Sequence, residues 1–228
     1  MSGSLVSIIL PVYNQADHIG QIVAEYEAAL TRLPTPHELL LVVNGSHDRS
    51  LEVCQELAAT YDTVRVVNSA RGGWGLAVKL GLTEARGDIL AYTNSARTSP
   101  SDLLLLLLYT VAYPNVVVKA NRKIRDHWRR RLGSLIYNLE CRSLFNLSNW
   151  DINGTPKVFP RRFDKLLELQ RDDDLIDLEF IAVCRYQGYP VIEVPIFSTR
   201  RHGGTSTTNY RSALRMYLGA YTLRRRFG

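Results

Sequence analysis

Acidic residues are missing from one stretch of this chain where an α/β protein has most use for them. Between Asp88 and Asp102 there is none, although an apolar run at 89–92 ends there in Thr93-Asn94-Ser95-Ala96-Arg97. In an open α/β sheet the reactive groups collect where strands end and helices begin, so the gap bears directly on metal chemistry. Cysteine is also scarce. Cys54, Cys141 and Cys184 are odd in number, far apart and without CxxC spacing, which argues against a disulfide framework or zinc site and fits a reducing compartment. A signal peptide is not visible, because residues 1–4 lack a basic start and the apolar run at 6–12 is short. The longest apolar tract, 103–118, is interrupted by Pro114 and Asn115 and falls short of the ~20 residues of a membrane span. It is expected to be a buried helix over 103–113 and a strand over 116–119. Internal repeats, low-complexity segments and long linkers are absent.

What is present is ordinary in bulk: 228 residues, 22% charged and 46% hydrophobic, enough for one sizeable core. The net charge of +6 favours anionic partners without choosing among them. Scattered basic residues and the lack of any RNA-binding motif argue against nucleic acid. In the first half, short runs rich in Val, Ile and Leu at 6–10, 39–43, 64–67 and 89–92 alternate with helical segments near 19–30, 48–60 and 75–85. That alternation predicts an α/β fold with a doubly wound, mostly parallel sheet and flanking helices, in a single domain. Ser99-Pro100-Ser101-Asp102 is a helix start, with a capping serine, a first-turn proline and an acid three residues on.

The second half is less regular. The charge run 122–131 reads as a solvated helix face, 132–145 and 175–187 as helices, and 191–195 as a strand; 151–159 passes through Gly154 and Pro156 into another strand. Residues 200–210 read as a polar loop. Residues 209–227 read as a basic amphipathic helix, packed on the domain or on an anionic membrane surface.

Three features converge on a nucleotide-sugar site. Pro11, Tyr13, Asn14 and Gln15 end the first strand, where proline and tyrosine could wall a nucleobase. The segment 43–50, with Asn44, follows the second strand. Arg71-Gly72-Gly73-Trp74-Gly75 precedes a helix, its glycines allowing close backbone approach near a positive helix end. Any one of these is weak, but their order and spacing are far more specific.

On these motifs the chain resembles the family 2 glycosyltransferases with a GT-A fold, particularly the dolichyl- and polyprenyl-phosphate sugar synthases. The resemblance runs through 6–15, 42–50, the Gly73, Gly75, Ala77, Gly81, Ala85, Gly87, Asp88 pattern, 151–161, Ile176-Asp177-Leu178-Glu179, 188–195 and 200–208. It implies a GT-A-like unit over 1–208, with 209–228 as an appended helix. The implied activity is inverting transfer of a sugar from a nucleotide-sugar donor to a polyprenyl phosphate or glycan, at a cytoplasmic location that includes the membrane face. The rival is a catalytically degenerate nucleotide-sugar-binding or scaffold protein.

The departures from the family pattern are systematic. Gln15 stands where the family has Glu, Asn44 where it has a base- or ribose-contacting Asp, Asn94-Ser95-Ala96 where it has the metal-binding Asp-x-Asp, and Thr207 where it has Lys. The resemblance implies Mg2+ or Mn2+ as cofactor, yet the acid ligands are missing, and no metal ligand is assigned. With Lys79, the residues named at 11–15, 44, 73 and 94–96 form the expected donor site. Arg71, Arg97, Lys157, Arg200 and Arg201 are the expected phosphate ligands, arginine being suited to bidentate contact. Asp177 or Glu179 could act as general base for a hydroxyl acceptor, though two positions apart on a helix they cannot face the same way. Asp151 is expected to orient the acceptor. Asp172-Asp173-Asp174 reads first as a solvated helix start.

Overall fold

The computed structural model describes residues 4–124, 128–197 and 210–227. The apolar runs form β1 (Val6–Val12), β2 (His37–Asn44), β3 (Val64–Ser69) and β4 (Ile89–Tyr92), separated by α1 (Ile19–Leu30), α2 (Ser50–Thr60) and α3 (Trp74–Glu84). After α4 (Pro100–Ala112) come β5 (Val117–Ile124), α5 (Trp128–Phe145), β6 (Lys157–Pro160), a 3₁₀ turn (Asp164–Leu167), α6 (Ile176–Gln187), β7 (Val191–Phe197) and α7 (Tyr210–Arg224).

These strands form a seven-stranded sheet in the order β3-β2-β1-β4-β6-β5-β7. Strands β1 to β4 pair in parallel, as do β5 and β7, and only β6 runs against its neighbours. The mostly parallel, helix-flanked sheet expected from the sequence is therefore present. The reversed strand wedged between β4 and β5 is what the sequence pattern did not reveal.

Both faces of the sheet are covered, which is why β1, buried at every position, reads as an unbroken apolar run. Alternate side chains serve opposite cores. Ile9 packs with Val78, Leu82 and Phe159 under α3, while Ile8 and Leu10 pack with Val23, Leu41 and Leu106 under α1 and α4. Helix α1 buries Ile19, Ile22, Val23, Tyr26 and Leu30, a single stripe at helical spacing. At α4, Ser99 Oγ accepts from the Asp102 N–H at 3.1 Å, the serine cap that the sequence implied, and donates to the Asp102 carboxylate at 2.7 Å.

The charge run at 122–131 does not form one solvated helix face. Arg122 lies on β5 and its side chain is mostly buried, because a carboxylate from the loop before β6 reaches it. Cys54, Cys141 and Cys184 are buried free thiols, and burial pushes Cys54 and Cys141 up to about 12, which makes them poor nucleophiles. No helix among the described residues is long and apolar enough to cross a membrane.

Candidate active site

Chain order reverses between β1 and β4. From β1 the chain winds outward through β2 to β3, then returns to lay β4 on the other side of β1. The crevice beyond the C-terminal ends of these two strands is the topological switch point, where open α/β sheets bind ligands. The loops gathered there are 11–16, 44–50, 71–75 and 93–99.

Their polar atoms are knitted to one another. The Gln15 side-chain carbonyl accepts from Ser95 Oγ at 2.9 Å, bridging β1 to β4 across the crevice, and the Gln15 N–H donates to Ser50 Oγ at 2.8 Å. Asn14, in the left-handed region at φ +48°, accepts at its carbonyl from the His47 N–H at 2.8 Å. Asp48 accepts from the Ala16 N–H at 3.1 Å and the Ser50 N–H at 3.0 Å. Burial raises that carboxyl, but the hydrogen bonds outweigh it and hold Asp48 below its ordinary value. Asn94 accepts from the Ala96 N–H at 3.1 Å. Ser95 and Ala96 are buried. Pro11 is buried and Tyr13 is exposed at the rim.

Asn44 is consumed within the fold. Its amide donates to the Val12 and Val42 carbonyls at 3.0 and 3.3 Å, and its carbonyl accepts from the Gly73 N–H at 3.1 Å. A carboxylate could take the last bond but not give the first two. The glycine-rich turn is equally committed. A Cβ on Gly73 would meet the Asp172 carbonyl oxygen at 2.6 Å, and one on Gly75 the Arg171 carbonyl oxygen at 2.3 Å. The close approach foreseen from these glycines is therefore to the 171–173 backbone, and the Leu76 N–H donates to the Asp172 carbonyl at 3.0 Å. Lys79 is bound to Asp172 at 2.5 Å and to the Gln170 carbonyl at 3.0 Å. It ties α3 to that loop.

The expected catalytic carboxylates are occupied too. Asp177, buried in the first turn of α6, accepts from Tyr92 Oη at 2.9 Å and Trp74 Nε1 at 3.1 Å and pairs with the Lys157 ammonium. Lys157 is fully buried, and burial pulls it down to about 8 against the opposing pull of Asp177. It is a core ion-pair partner and not an accessible phosphate ligand. Glu179 is fully buried and accepts from the Gln170 and Arg171 N–H groups at 2.8–3.0 Å and from Arg226. It is a structural anchor and offers no oxygen for a base. Asp151, at φ +46°, grips Arg122 in a bidentate pair at 2.7 Å for each bond. Beside it, Lys119 meets Glu193 at 2.8 Å and the Trp150 carbonyl. Trp74 and Trp150 are engaged as well, Trp74 by Asp177 and Trp150 by the Arg142 guanidinium 3.9 Å above its ring.

The acidic triplet before α6 divides by partner. Asp172 holds Lys79 and, at 3.2 Å, the well-exposed Arg71. Asp173 accepts from the Leu175 N–H at 3.2 Å and pairs with Arg171. Asp174 is half-buried, and burial, Asp177 and Asp173 together hold its carboxyl above the ordinary range. It takes no hydrogen bond from the described residues. A carboxyl raised in this way is a candidate proton acceptor, and reading the triplet as a helix start alone passes over it. Arg97 lies half-buried in the loop after β4, its N–H donating to the Asn94 carbonyl at 3.0 Å. Arg200 and Arg201 lie outside the described residues.

Residues 7–167 match the sequence pattern of the family described as Glycosyl transferase family 2. The chain belongs to glycosyltransferase family 2. The resemblance carried by its motifs is borne out over most of its length. Two undecaprenyl-phosphate 4-deoxy-4-formamido-L-arabinose transferases of Pseudomonas fluorescens, strains Pf0-1 and SBW25, are 26% and 29% identical to this family member over 207 and 205 residues. Each alignment covers 88% of this chain and 59% of the relative, so the chain spans about three fifths of their length. The crystal structure of glucosyl-3-phosphoglycerate synthase from Mycobacterium tuberculosis with Mn2+, UDP and phosphoglyceric acid superposes with a TM-score of 0.73 at 17% identity. It covers 97% of this chain and 77% of the synthase. At that identity the likeness carries the fold, which is GT-A.

Proposed function

We propose that this chain is an inverting glycosyltransferase that moves a sugar from a nucleotide-sugar donor to a polyprenyl phosphate. In this reading residues 1–208 are the transferase unit and 209–228 an appended basic segment whose helix α7 packs on the domain, Tyr217 meeting Tyr137 and the Gly133 carbonyl of α5, with the unit at the cytoplasmic face of a membrane. The donor lies in the β1/β4 crevice, between the 11–16 and 93–99 loops, with Asn14, Gln15, Asn94 and Ser95 around it and Tyr13 at the rim.

One observation carries the choice of acceptor. Asp151, Asp177 and Glu179 each have their oxygens taken by internal donors. A hydroxyl acceptor must lose a proton during attack and needs a positioned base. A phosphate monoester, with a second pKa of roughly 6, is already ionised near neutral pH and needs none. The relatives' names, which specify undecaprenyl phosphate, support the same choice. In the reaction a phosphate oxygen forms a bond to C1 of the sugar from the face opposite the nucleotide. The bond from C1 to the diphosphate oxygen breaks, and its electron pair leaves with the nucleoside diphosphate.

The fold family implies a divalent cation at the end of β4, and the donor set does not fit one. A hard cation wants carboxylate oxygens. The groups present are an Asn carbonyl accepting a backbone N–H, a serine hydroxyl committed to Gln15 and the methyl of Ala96. Among the described residues no three His, Cys, Asp or Glu side chains gather to hold a metal, and no step here runs through one.

Asp174 favours a second reading, in which it is the base for a glycan hydroxyl. The purified chain with UDP-, GDP- and dTDP-sugars and a short polyprenyl phosphate separates the two. Lipid-linked sugar is the expected product, and Asp174→Asn leaves its rate within about threefold. A loss of about 10²-fold or more in Asp174→Asn would instead be the signature of a general base. Tight donor binding without hydrolysis or transfer would favour a nucleotide-sugar-binding protein.

A further inference from the structure

The misfit between the crevice and a divalent cation points to how the donor's charge is met. We infer that this chain binds the diphosphate of its nucleotide without a divalent cation, with arginine from the rim, Arg71 and Arg97, in the cation's place. The inference rests on the nucleotide-sugar reading above and concerns its charge balance.

Three observations support it. First, Gln15, Asn44, Asn94 and Ser95 are neutral, and each spends its acceptor oxygen or hydroxyl proton inside the protein. Gln15 and Ser95 bond to each other across the crevice, Asn44 holds the Gly73 N–H, and Asn94 holds the Ala96 N–H. A cation would gain only neutral oxygens there, each already engaged in a bond inside the protein. Second, the neutral set removes the repulsion that acids would exert on a diphosphate carrying no metal. Carboxylates at 15, 44 and 94 would need a cation between them and the phosphates, whereas amides and hydroxyls do not. Third, arginines stand in loops on both sides of the crevice, Arg71 after β3 and Arg97 after β4. Arg71 follows β3 with its side chain 76% exposed, and its 3.2 Å contact with Asp172 is a surface pair. Such a pair holds weakly in water, so the guanidinium can exchange Asp172 for a phosphate. Arg97 sits in the loop that closes the β4 side. A guanidinium presents fixed parallel donors to phosphate oxygens.

The test is nucleotide binding, which is independent of turnover. UDP, GDP and dTDP are titrated into the full chain by calorimetry, once with EDTA and once with Mn2+, and Mn2+ alone is titrated with detection by electron paramagnetic resonance. The expected result is one nucleotide whose Kd agrees within about twofold with and without Mn2+, no saturable Mn2+ site in the protein, and affinity that falls with added salt. Arg71→Gln and Arg97→Gln each weaken it about tenfold. Gln15→Glu/Asn94→Asp keeps both acceptor oxygens while restoring two charges, and Mn2+ tightening that appears only in that variant supports the inference. Tenfold or greater tightening by Mn2+ in the unaltered chain, or a saturable Mn2+ site there, overturns it while leaving the transferase reading intact. Failure of every nucleotide to bind under both conditions overturns the transferase reading and this inference with it.

Discussion

At the C-terminal ends of β1, β2 and β4 the knitted polar side chains are mostly amides and hydroxyls. Around β5, β6 and β7, by contrast, three full ion pairs lie buried or nearly so: Lys119 with Glu193, Arg122 with Asp151 and Lys157 with Asp177. The two regions meet at Tyr92, the last residue of β4, whose hydroxyl donates to Asp177. Neutral groups lose little on leaving water once they are hydrogen-bonded, so the crevice half can hold a precise loop arrangement at small desolvation cost. Buried charges are tolerable only as complete pairs. The charged half is therefore the brittle one.

That contrast can be broken at four places, in falling order of effect. Lys157→Met leaves Asp177 buried without its cationic partner, and should cost about 3–5 kcal/mol in urea unfolding. The double variant Lys157→Met/Asp177→Leu should cost less than the single one, which separates loss of the pair from exposure of its survivor. Gly75→Ala drives a methyl to within 2.3 Å of the Arg171 carbonyl oxygen and should cost roughly 2–3 kcal/mol, since backbone must move to relieve it. In the neutral half, Asn44→Asp retains the bond from the Gly73 N–H but turns two donated bonds into repulsion of the Val12 and Val42 carbonyls. About 1–3 kcal/mol should be lost, by the same unfolding measurement.

The smallest effect lies at the opposite end of the sheet, where Glu38 receives bonds from Ser7, Arg65 and the Arg86 N–H. Burial alone would raise this carboxyl, but those bonds hold it below its ordinary value of 4.5. Its contribution to stability is therefore complete above that value and lost as pH falls through the lower, folded-state value. Thermal melting from pH 6 down to pH 3 should show the loss, and Glu38→Gln should flatten that part of the curve.

Local chemistry made much of the fold legible. Strands β1, β2, β3 and β4 are short apolar runs between turn residues, α1 is a single buried stripe, and Ser99-Pro100-Ser101-Asp102 states its own cap. Strand β6 was foreseen as a strand, but not its reversed place between β4 and β5, because its four residues carry no mark of direction. Arg122 was misread for a related reason. A run of charges looks solvated until Asp151, 29 residues away, supplies the partner that lets it be buried.

The sequence by itself determined the family, the doubly wound sheet and the neutrality of positions 15, 44 and 94–96. Each is a matter of residue type and local periodicity. Only the tertiary structure decided which polar residues are spent. Asp151, Asp177, Glu179, Lys79 and Lys157 all look available in a linear reading, and the fold gives every one of them a partner distant in the chain. Asp174 looks like a helix-starting acid, and the fold leaves it half-buried, without a hydrogen bond from the described residues and raised in pKa. Ionisable groups take their roles from the dielectric and the donors around them, and those surroundings exist only once distant segments have packed together.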